Sequence, residues 1–152
     1  MINQLCQHEQ ALAAQSGRSV FELIDEQILS SPIGANKLLF LPYMLGERTP
    51  RWNVDAKGAF IGLTLGHQHG DMLRAVMEGI TLNLGFIVNI FRQHVPIDQM
   101  TVIDRFVRIE QTVQPIPENR AKYEAWMPVF DKAYHALYDM YTEIAKTELD
   151  SI

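Results

Sequence analysis

The stretch that decides the fold is Gly58-Ala59-Phe60-Ile61-Gly62-Leu63, followed seven residues later by Asp71-Met72-Leu73-Arg74-Ala75-Val76-Met77-Glu78. The first run, extended to Thr64, is short, apolar and flanked by glycines. This pattern is typical of a strand whose backbone lies close to another backbone segment or turns sharply. In the second run, apolar and small residues recur at three- and four-residue steps, which predicts a helix from Asp71 to about Gln93. Asp71 would lie near the helix N-terminus, where the helix dipole favours an anion.

Two helices and a strand are predicted on the N-terminal side of this stretch. Good helix formers from Asn3 to Ala14 predict one short helix, which Ser16-Gly17 would end. Ser19 is a candidate N-cap for the second helix, with Glu22 as its capping-box partner. The apolar run Leu38-Leu39-Phe40-Leu41 is too short for a helix and predicts a strand that is buried on both faces.

The C-terminal side is predicted to contain two more strands and a helical tail. The strands are Met100-Thr101-Val102-Ile103 and the alternating segment Phe106-Val107-Arg108-Ile109-Glu110. Pro117 suits the first turn of a helix, whereas Pro128 predicts either a kink or a division into two helices. An aromatic and apolar stripe in this tail requires a cover, and its members are Tyr123, Trp126, Met127, Phe130, Tyr134, Leu137, Tyr138, Tyr141 and Ile144.

Length and composition exclude several classes of protein. A chain of 152 residues that is 47% apolar and 20% charged predicts one globular domain rather than a disordered tail. A net charge of −5 without a basic stripe disfavours nucleic-acid binding, and no uninterrupted apolar run approaches the ~20 residues of a membrane span. The single cysteine, Cys6, excludes an internal disulfide, and the start of the chain does not resemble a signal peptide. We therefore expect a cytoplasmic protein in which Cys6 has no chemical role.

Residue patterns for metal or acid–base chemistry are weak. His67-Gln68-His69 with Asp71 is the densest group of possible metal ligands, but no second ligand pair stands at a metal-site spacing. The phosphate-binding glycine motifs of nucleotide sites are absent from the sequence. Asp25-Glu26, and the pair Asp139 and Glu143, fall on predicted helices and are expected to be solvated. No metal or nucleotide site is predicted from these patterns.

The polar segment from Gly46 to Lys57 is predicted to be an ordered loop, since it contains Pro50 and Trp52. Within it, Glu47 and Arg48 carry opposite charges between two buried strands and need partners if they are desolvated. An ion pair that fixes the loop is the favoured interpretation, and a functional role is the alternative.

Two segments resemble the FGGY family of carbohydrate kinases, and within it the xylulokinases. The segment Leu41-Pro42-Tyr43-Met44-Leu45-Gly46-Glu47-Arg48-Thr49-Pro50-Arg51-Trp52-Asn53 is similar to the family's Leu-Pro-Tyr…Gly-Glu-Arg-Thr-Pro stretch. The stretch quoted at the outset, 58–63 and 71–78, resembles the family's C-terminal signature. We refer to residues 58–78 as the signature segment. The strong similarity extends from about Leu38 to Phe91.

The resemblance implies a helix-rich α/β fold, a partial ribonuclease H-like, actin-like ATPase domain with few short strands and long helices. It also implies a parent reaction in which ATP, with Mg²⁺, phosphorylates a ketopentose such as D-xylulose. The family's catalytic Asp and phosphate loops have no counterpart in these 152 residues. The family's adenosine-binding glycine turn should follow Ile103, but Asp104 begins a sequence that resembles a part of the family further downstream. We expect residues 1–152 to form one incomplete C-terminal domain with an internal deletion at 103–104.

The resemblance to an incomplete C-terminal domain predicts no catalytic, substrate-binding, cofactor-binding or metal-binding residue. It also predicts no cofactor for the chain alone. The family-motif positions, expected to be structural, are Glu47, Arg48, Pro50, Gly58, Gly62, Asp71 and Glu78. The leading hypothesis is a remnant of a xylulokinase-like enzyme that is inactive alone. The alternative is a non-catalytic module that associates with itself or with a partner, and the expected partners are a second copy or a missing kinase half, with no nucleic acid and no membrane.

Overall fold

The computed structural model describes residues 2–94 and 113–147, and the following elements belong to these ranges. The predicted strands at 100–103 and 106–110 and the proposed junction at 103–104 lie outside them. In chain order the elements are α1 (Ile2–Leu5), α2 (Gln7–Ser16), α3 (Val20–Ser30), a 3-10 turn (Ala35–Lys37), β1 (Leu39–Leu41), β2 (Ala59–Ile61), α4 (His69–His94), α5 (Pro117–Ala136) and α6 (Tyr138–Lys146).

The chain divides into two compact units. The single incomplete domain expected from the sequence stays a prediction. The first unit contains the described residues up to Tyr43 together with Gly58–Ile80. The second contains Met44–Lys57 and the described residues from Thr81 onward. The inserted loop that precedes β2 therefore belongs to the second unit, while the strands on either side of it belong to the first.

The N-terminal helices differ from their prediction at one point. The single helix predicted from Asn3 to Ala14 is wrong, because Cys6 leaves the helical conformation (φ −116°, ψ 33°) and separates α1 from α2. The predicted stop is confirmed, since Gly17 adopts a left-handed conformation and its N–H donates to the Ala13 carbonyl. Ser19 is confirmed as the N-cap of α3, accepting from the Phe21 N–H at 3.3 Å. Its expected capping-box partner, Glu22, lies instead 3.8 Å from Arg18.

The two predicted strands on either side of the loop pair with each other. β1 and β2 form an antiparallel two-stranded sheet in which Phe40 is opposite Phe60. Their rings lie 4.7 Å apart between centroids. All three residues of β1 are buried, as predicted, whereas β2 is shorter than the predicted 58–64 and only half-buried. The core around this sheet also contains Ala35, Leu38 and Ala75.

Helix α4 begins and ends within two residues of its prediction. Two of its glycines are positions of close approach: a Cβ at Gly70 would lie 2.6 Å from the Gln27 carbonyl oxygen, and one at Gly79 would lie 2.1 Å from that of Phe40. By length and composition alone, α4 could also cross a membrane. This property was not predicted from the sequence, because the apolar residues of α4 do not form one uninterrupted run. A core helix of a soluble protein passes the same test, so this property alone assigns no membrane role.

The helices of the second unit begin as predicted and divide at a different residue. Pro117 occupies the first turn of α5, and Pro128 lies inside this helix without ending it. The division falls at Leu137, between α5 and α6. The predicted aromatic stripe is only partly covered: Phe130, Tyr134 and Tyr141 are buried, but Tyr138 is 49% exposed.

Candidate functional site

The most unusual backbone in the first unit is the segment Gly34–Lys37, which we call the left-handed turn. Gly34 has φ 82°, and the three following residues, which are not glycine, have φ 46°, 54° and 71°. L-residues in this region cost roughly 1–2 kcal/mol each, so such a turn persists only where its surroundings hold it. The sequence offered no signal for it beyond Gly34 and Asn36.

The signature segment supplies the groups that hold the left-handed turn. The Asp71 carboxylate accepts from the Asn36 amide at 2.9 Å, and the Glu78 carboxylate accepts from the Gly34 N–H at 3.1 and 3.2 Å. Gly62 allows close approach, because a Cβ there would lie 2.8 Å from the Lys37 carbonyl oxygen. Three of the predicted family positions, Gly62, Asp71 and Glu78, are thus gathered around one turn.

Asp71 is the most completely bonded of these groups. Besides Asn36, it accepts from the Ser31 hydroxyl at 2.6 Å and from the Gln68 N–H at 2.9 Å. These bonds, the Gln68 N–H first and then the Ser31 hydroxyl, lower the pKa of the buried Asp71 carboxyl although burial opposes them. The anion expected at the start of α4 is therefore fixed by three donors.

Arg74 connects the same helix to the end of α3. Its guanidinium lies 2.8 Å from Glu78 and donates to the carbonyls of Ser31 at 2.8 Å and Ile28 at 3.2 Å. The last carbonyls of a helix lack intrahelical donors, so a cation placed there satisfies them and interacts favourably with the dipole. Arg74 lies inside the family motif, which was a usable signal, but its contacts were not predicted from the sequence.

A polar cleft of about 300 Å³ lies beside this network, lined among others by Ser31, Asn36, Gln68, His69 and Asp71. Its residues do not fit a Mg²⁺·ATP site. The oxygens of Asp71 already accept three protein hydrogen bonds, and His69 lies 3.2 Å from the buried Glu9 on α2. His67 is bonded separately, to Thr64 and to the Asn36 carbonyl. Among the described residues, no group of three possible ligands could hold a metal.

The second unit contains the predicted ordered loop, which is closed by a bridge between Glu47 and Asn53. Each N–H of this pair donates to the other's carbonyl at 2.7 Å. The Glu47 side chain is 3% exposed, and one of its oxygens accepts from the Arg51 N–H at 2.8 Å. Arg48 is exposed, and the hydrogen bond of the Glu47 carboxylate comes from a backbone N–H, so these two charges do not form the ion pair expected to fix the loop. Pro50 follows a cis peptide bond.

The cation that does anchor this loop is Arg51, which was not predicted from the sequence. Its guanidinium pairs with Asp131 on α5 and lies over two rings, 4.5 Å from the centroid of Phe86 and 4.2 Å from that of Tyr134. A guanidinium that stacks on aromatic faces gains cation–π attraction in addition to its ion pair. Arg51 and Asp131 are 80 residues apart, so no local pattern could have paired them.

Other candidates remain apart from these sites. Gly58 directly precedes β2 and is half-buried. Asp25, Glu26, Asp139 and Glu143 are exposed, which confirms the expected solvated faces. Cys6 is buried, and burial raises the pKa of its thiol, which disfavours the reactive thiolate.

Comparison with known proteins identifies a family model and several relatives. Residues 1–103 match the model of the FGGY family of carbohydrate kinases, C-terminal domain. A xylulose kinase of Staphylococcus epidermidis is 48% identical over 73 residues, which are 48% of this chain and 15% of that protein. A gluconokinase of Bacillus subtilis is 51% identical over 51 residues, which are 34% of this chain and 10% of that protein. The chain therefore spans a small part of the curated relatives it matches.

Solved structures show the same fold. A xylulose kinase from Lactobacillus acidophilus aligns with a TM-score of 0.72 and 21% identity, over 90% of this chain and 39% of that one. One from Rhodospirillum rubrum aligns with a TM-score of 0.69 and 19% identity, over 93% of this chain and 38% of that one. This likeness places the helix-rich chain in the fold class expected from the sequence, that of actin-like ATPase domains.

Proposed function

The chain belongs to the FGGY family of carbohydrate kinases, matching its C-terminal domain, and we propose that it is the partial second domain of a xylulokinase-like enzyme. The parent reaction is the transfer of a phosphoryl group from ATP, with Mg²⁺, to a hydroxyl of a ketopentose such as D-xylulose. The observation that carries this proposal is the 48% identity to a xylulose kinase over 73 residues. The cytoplasm, where ATP and sugar substrates are available, is the proposed location.

We propose further that the chain alone does not catalyse this reaction. Phosphoryl transfer depends on a phosphate cradle, metal ions and an oriented acceptor, which together supply nearly all of the rate enhancement. The buried carboxylates of the family motifs already bond to other groups of the chain. Asp71 and Glu78 hold the left-handed turn, and Glu47 bonds within the loop of the second unit. In this proposal, the motif residues build the domain and the reacting groups come from another part of the enzyme.

A coupled assay with Mg·ATP tests the proposed inactivity. The purified chain should produce ADP at the rate of the protein-free control with either D-xylulose or D-gluconate. Turnover that rises in proportion to the amount of chain, and that requires one of the two sugars, would refute the inactivity and would identify the substrate. A complete xylulose kinase assayed in parallel shows that the coupling enzymes respond.

A chimera tests the assignment to the xylulokinases independently. Residues 38–91 of this chain would replace the corresponding segment of the Staphylococcus epidermidis xylulose kinase, and the same segment would be placed in the Bacillus subtilis gluconokinase as the matched control. We expect the xylulose kinase chimera to retain more of its parent's kcat/KM than the gluconokinase chimera. The reverse order, in chimeras that are both folded by circular dichroism, would favour a gluconokinase-like parent.

A further inference from the structure

The loop that precedes β2 has an inverted distribution of polarity. Apart from the small Ala56, its buried side chains are polar, with Glu47 3% and Asn53 8% exposed. Four large apolar side chains point outward instead: Met44 is 58% exposed, Leu45 90%, Trp52 73% and Val54 69%. We call these four the loop patch. Scattered exposed apolar residues are ordinary on protein surfaces, but four within eleven residues of an ordered loop form a concentrated patch.

The backbone brings the members of the loop patch together. The bridge between Glu47 and Asn53 is an isolated antiparallel pair, and Trp52 beside it has a left-handed backbone with φ 51°. Asn53 is buried, whereas its two neighbours, Trp52 and Val54, are both exposed. The Gly46 backbone lies against Val54, since a Cβ on Gly46 would be 2.9 Å from the Val54 carbonyl oxygen. Leu45, next to Gly46, is therefore held near Val54.

The interior of the loop keeps this surface in place before any partner binds. Two backbone hydrogen bonds of 2.7 Å close the bridge, and the Arg51 guanidinium is held between Phe86 and Tyr134. Association costs ordering entropy for mobile loops, and a loop that is already fixed avoids most of that cost. The polar groups inside the loop thus hold the exposed apolar side chains of the loop patch in place.

We propose that the loop patch is the contact surface of a symmetric homodimer. At their observed exposures the four side chains offer roughly 600 Å² on one copy, or about 1,200 Å² for two, which is the lower limit of standard specific interfaces. A two-fold axis buries the same patch on both copies, so no second type of surface is needed. The chain has a net charge of −5, but the exposed charged residue within 44–54 is Arg48, so the patch lacks the acidic charge that would repel a second copy.

Sedimentation velocity combined with tryptophan emission tests the homodimer. The chain has two tryptophans, so Trp126→Phe leaves Trp52 as the only emitter. Between about 1 and 100 µM, we expect the sedimentation coefficient to rise from monomer to dimer, a range in which modest interfaces titrate. The Trp52 emission should shift to shorter wavelength over the same concentrations, since the indole leaves water.

A pair of matched variants locates the interface. Leu45→Asp should raise the dimer dissociation constant at least tenfold, because it buries a charge at the contact. Leu65→Asp changes a fully exposed leucine of the first unit outside the patch and should leave the dissociation constant unchanged. A monomer at 100 µM would overturn the proposal, as would a dimer that Leu45→Asp does not weaken. Association only with an added FGGY kinase portion would also overturn it and would assign the patch to that partner.

Discussion

The two units each bury a carboxylate from a family motif, but they satisfy it differently. In the first unit, the oxygens of Asp71 accept from Ser31, Asn36 and Gln68. In the second, Glu47 accepts from the Arg51 N–H through one oxygen, while the other has no hydrogen-bond partner among the described residues.

This difference separates two uses of buried polarity. A fully bonded carboxylate offsets its own desolvation and can hold a strained turn, as Asp71 does. An incompletely bonded one costs free energy, and the second unit offsets that cost by the stacking of Arg51 and its ion pair with Asp131. We therefore expect the first unit to depend on tight backbone contacts and hydrogen bonds, and the second on one cation.

The largest expected effect concerns the contact between α4 and β1 in the first unit. Gly79→Ala places a Cβ about 2.1 Å from the Phe40 carbonyl oxygen, a backbone atom that cannot swing away. We expect the free energy of unfolding to fall by about 3 kcal/mol. The matched control is Gly66→Ala, where the nearest heavy atom is 3.8 Å away and a change below about 0.5 kcal/mol is expected. Urea unfolding followed by circular dichroism measures both, and equal effects would contradict the close contact.

The second unit should respond most to the loss of its buried cation. Arg51→Met keeps an apolar stem but removes the charge that pairs with Asp131 and stacks on two rings, so we expect a loss of about 2 kcal/mol. Arg48→Met, in the same loop but exposed, is the control and should change stability by less than about 0.5 kcal/mol. Urea unfolding monitored by tryptophan fluorescence distinguishes the two, and a larger effect at Arg48 would restore the ion pair predicted from the sequence.

Acid should weaken the first unit through Asp71. Its pKa is lowered in the folded state by the Gln68 N–H and the Ser31 hydroxyl, so it stabilises the fold above its unfolded pKa, about 4. That stability is lost as pH falls through the lowered folded value. Asp71→Asn should cost about 1.5 kcal/mol at pH 7, and the difference from wild type should shrink below pH 4. Urea unfolding at several pH values measures this, and a difference independent of pH would show that the charge of Asp71 has no role.

The smallest expected effect is a gain in the free energy of unfolding. Lys37 has φ 71°, a conformation that glycine adopts without strain, so Lys37→Gly should stabilise the protein by about 0.5 kcal/mol. Lys57→Gly, at an exposed position without positive φ, should give no gain. Thermal unfolding of the two variants provides the comparison. If Lys37→Gly lowered the stability as much as Lys57→Gly does, the backbone of the turn would not be strained at Lys37.

The sequence predicted the parts of the fold that local chemistry determines. Ser19 caps α3, Gly17 ends α2, and the spacing of apolar residues defines α4. Pro32, Gly34 and Asn36 predict a turn, but not its left-handed conformation, because Ala35 and Lys37 do not favour positive φ. That conformation is imposed by groups from the signature segment.

The candidate sites were predictable to a lesser degree. The family motifs identified Asp71, Glu78 and Glu47, but not which groups they bond. Asp71 and Asn36 are 35 residues apart, and Arg51 and Asp131 are 80 apart, so periodicity carries no information about either pair. The break at Cys6 was also missed, since its neighbours are all good helix formers.

The most direct test of the central claim, that the signature segment holds the left-handed turn, is a double-mutant cycle between Asp71→Asn and Asn36→Gly. Glycine keeps the positive φ of Asn36 and removes only the amide that lies 2.9 Å from Asp71. Urea unfolding of the four proteins at pH 7 should give a coupling free energy of about 1 kcal/mol. A coupling below about 0.3 kcal/mol would contradict the claim, because the two residues would then stabilise the fold independently.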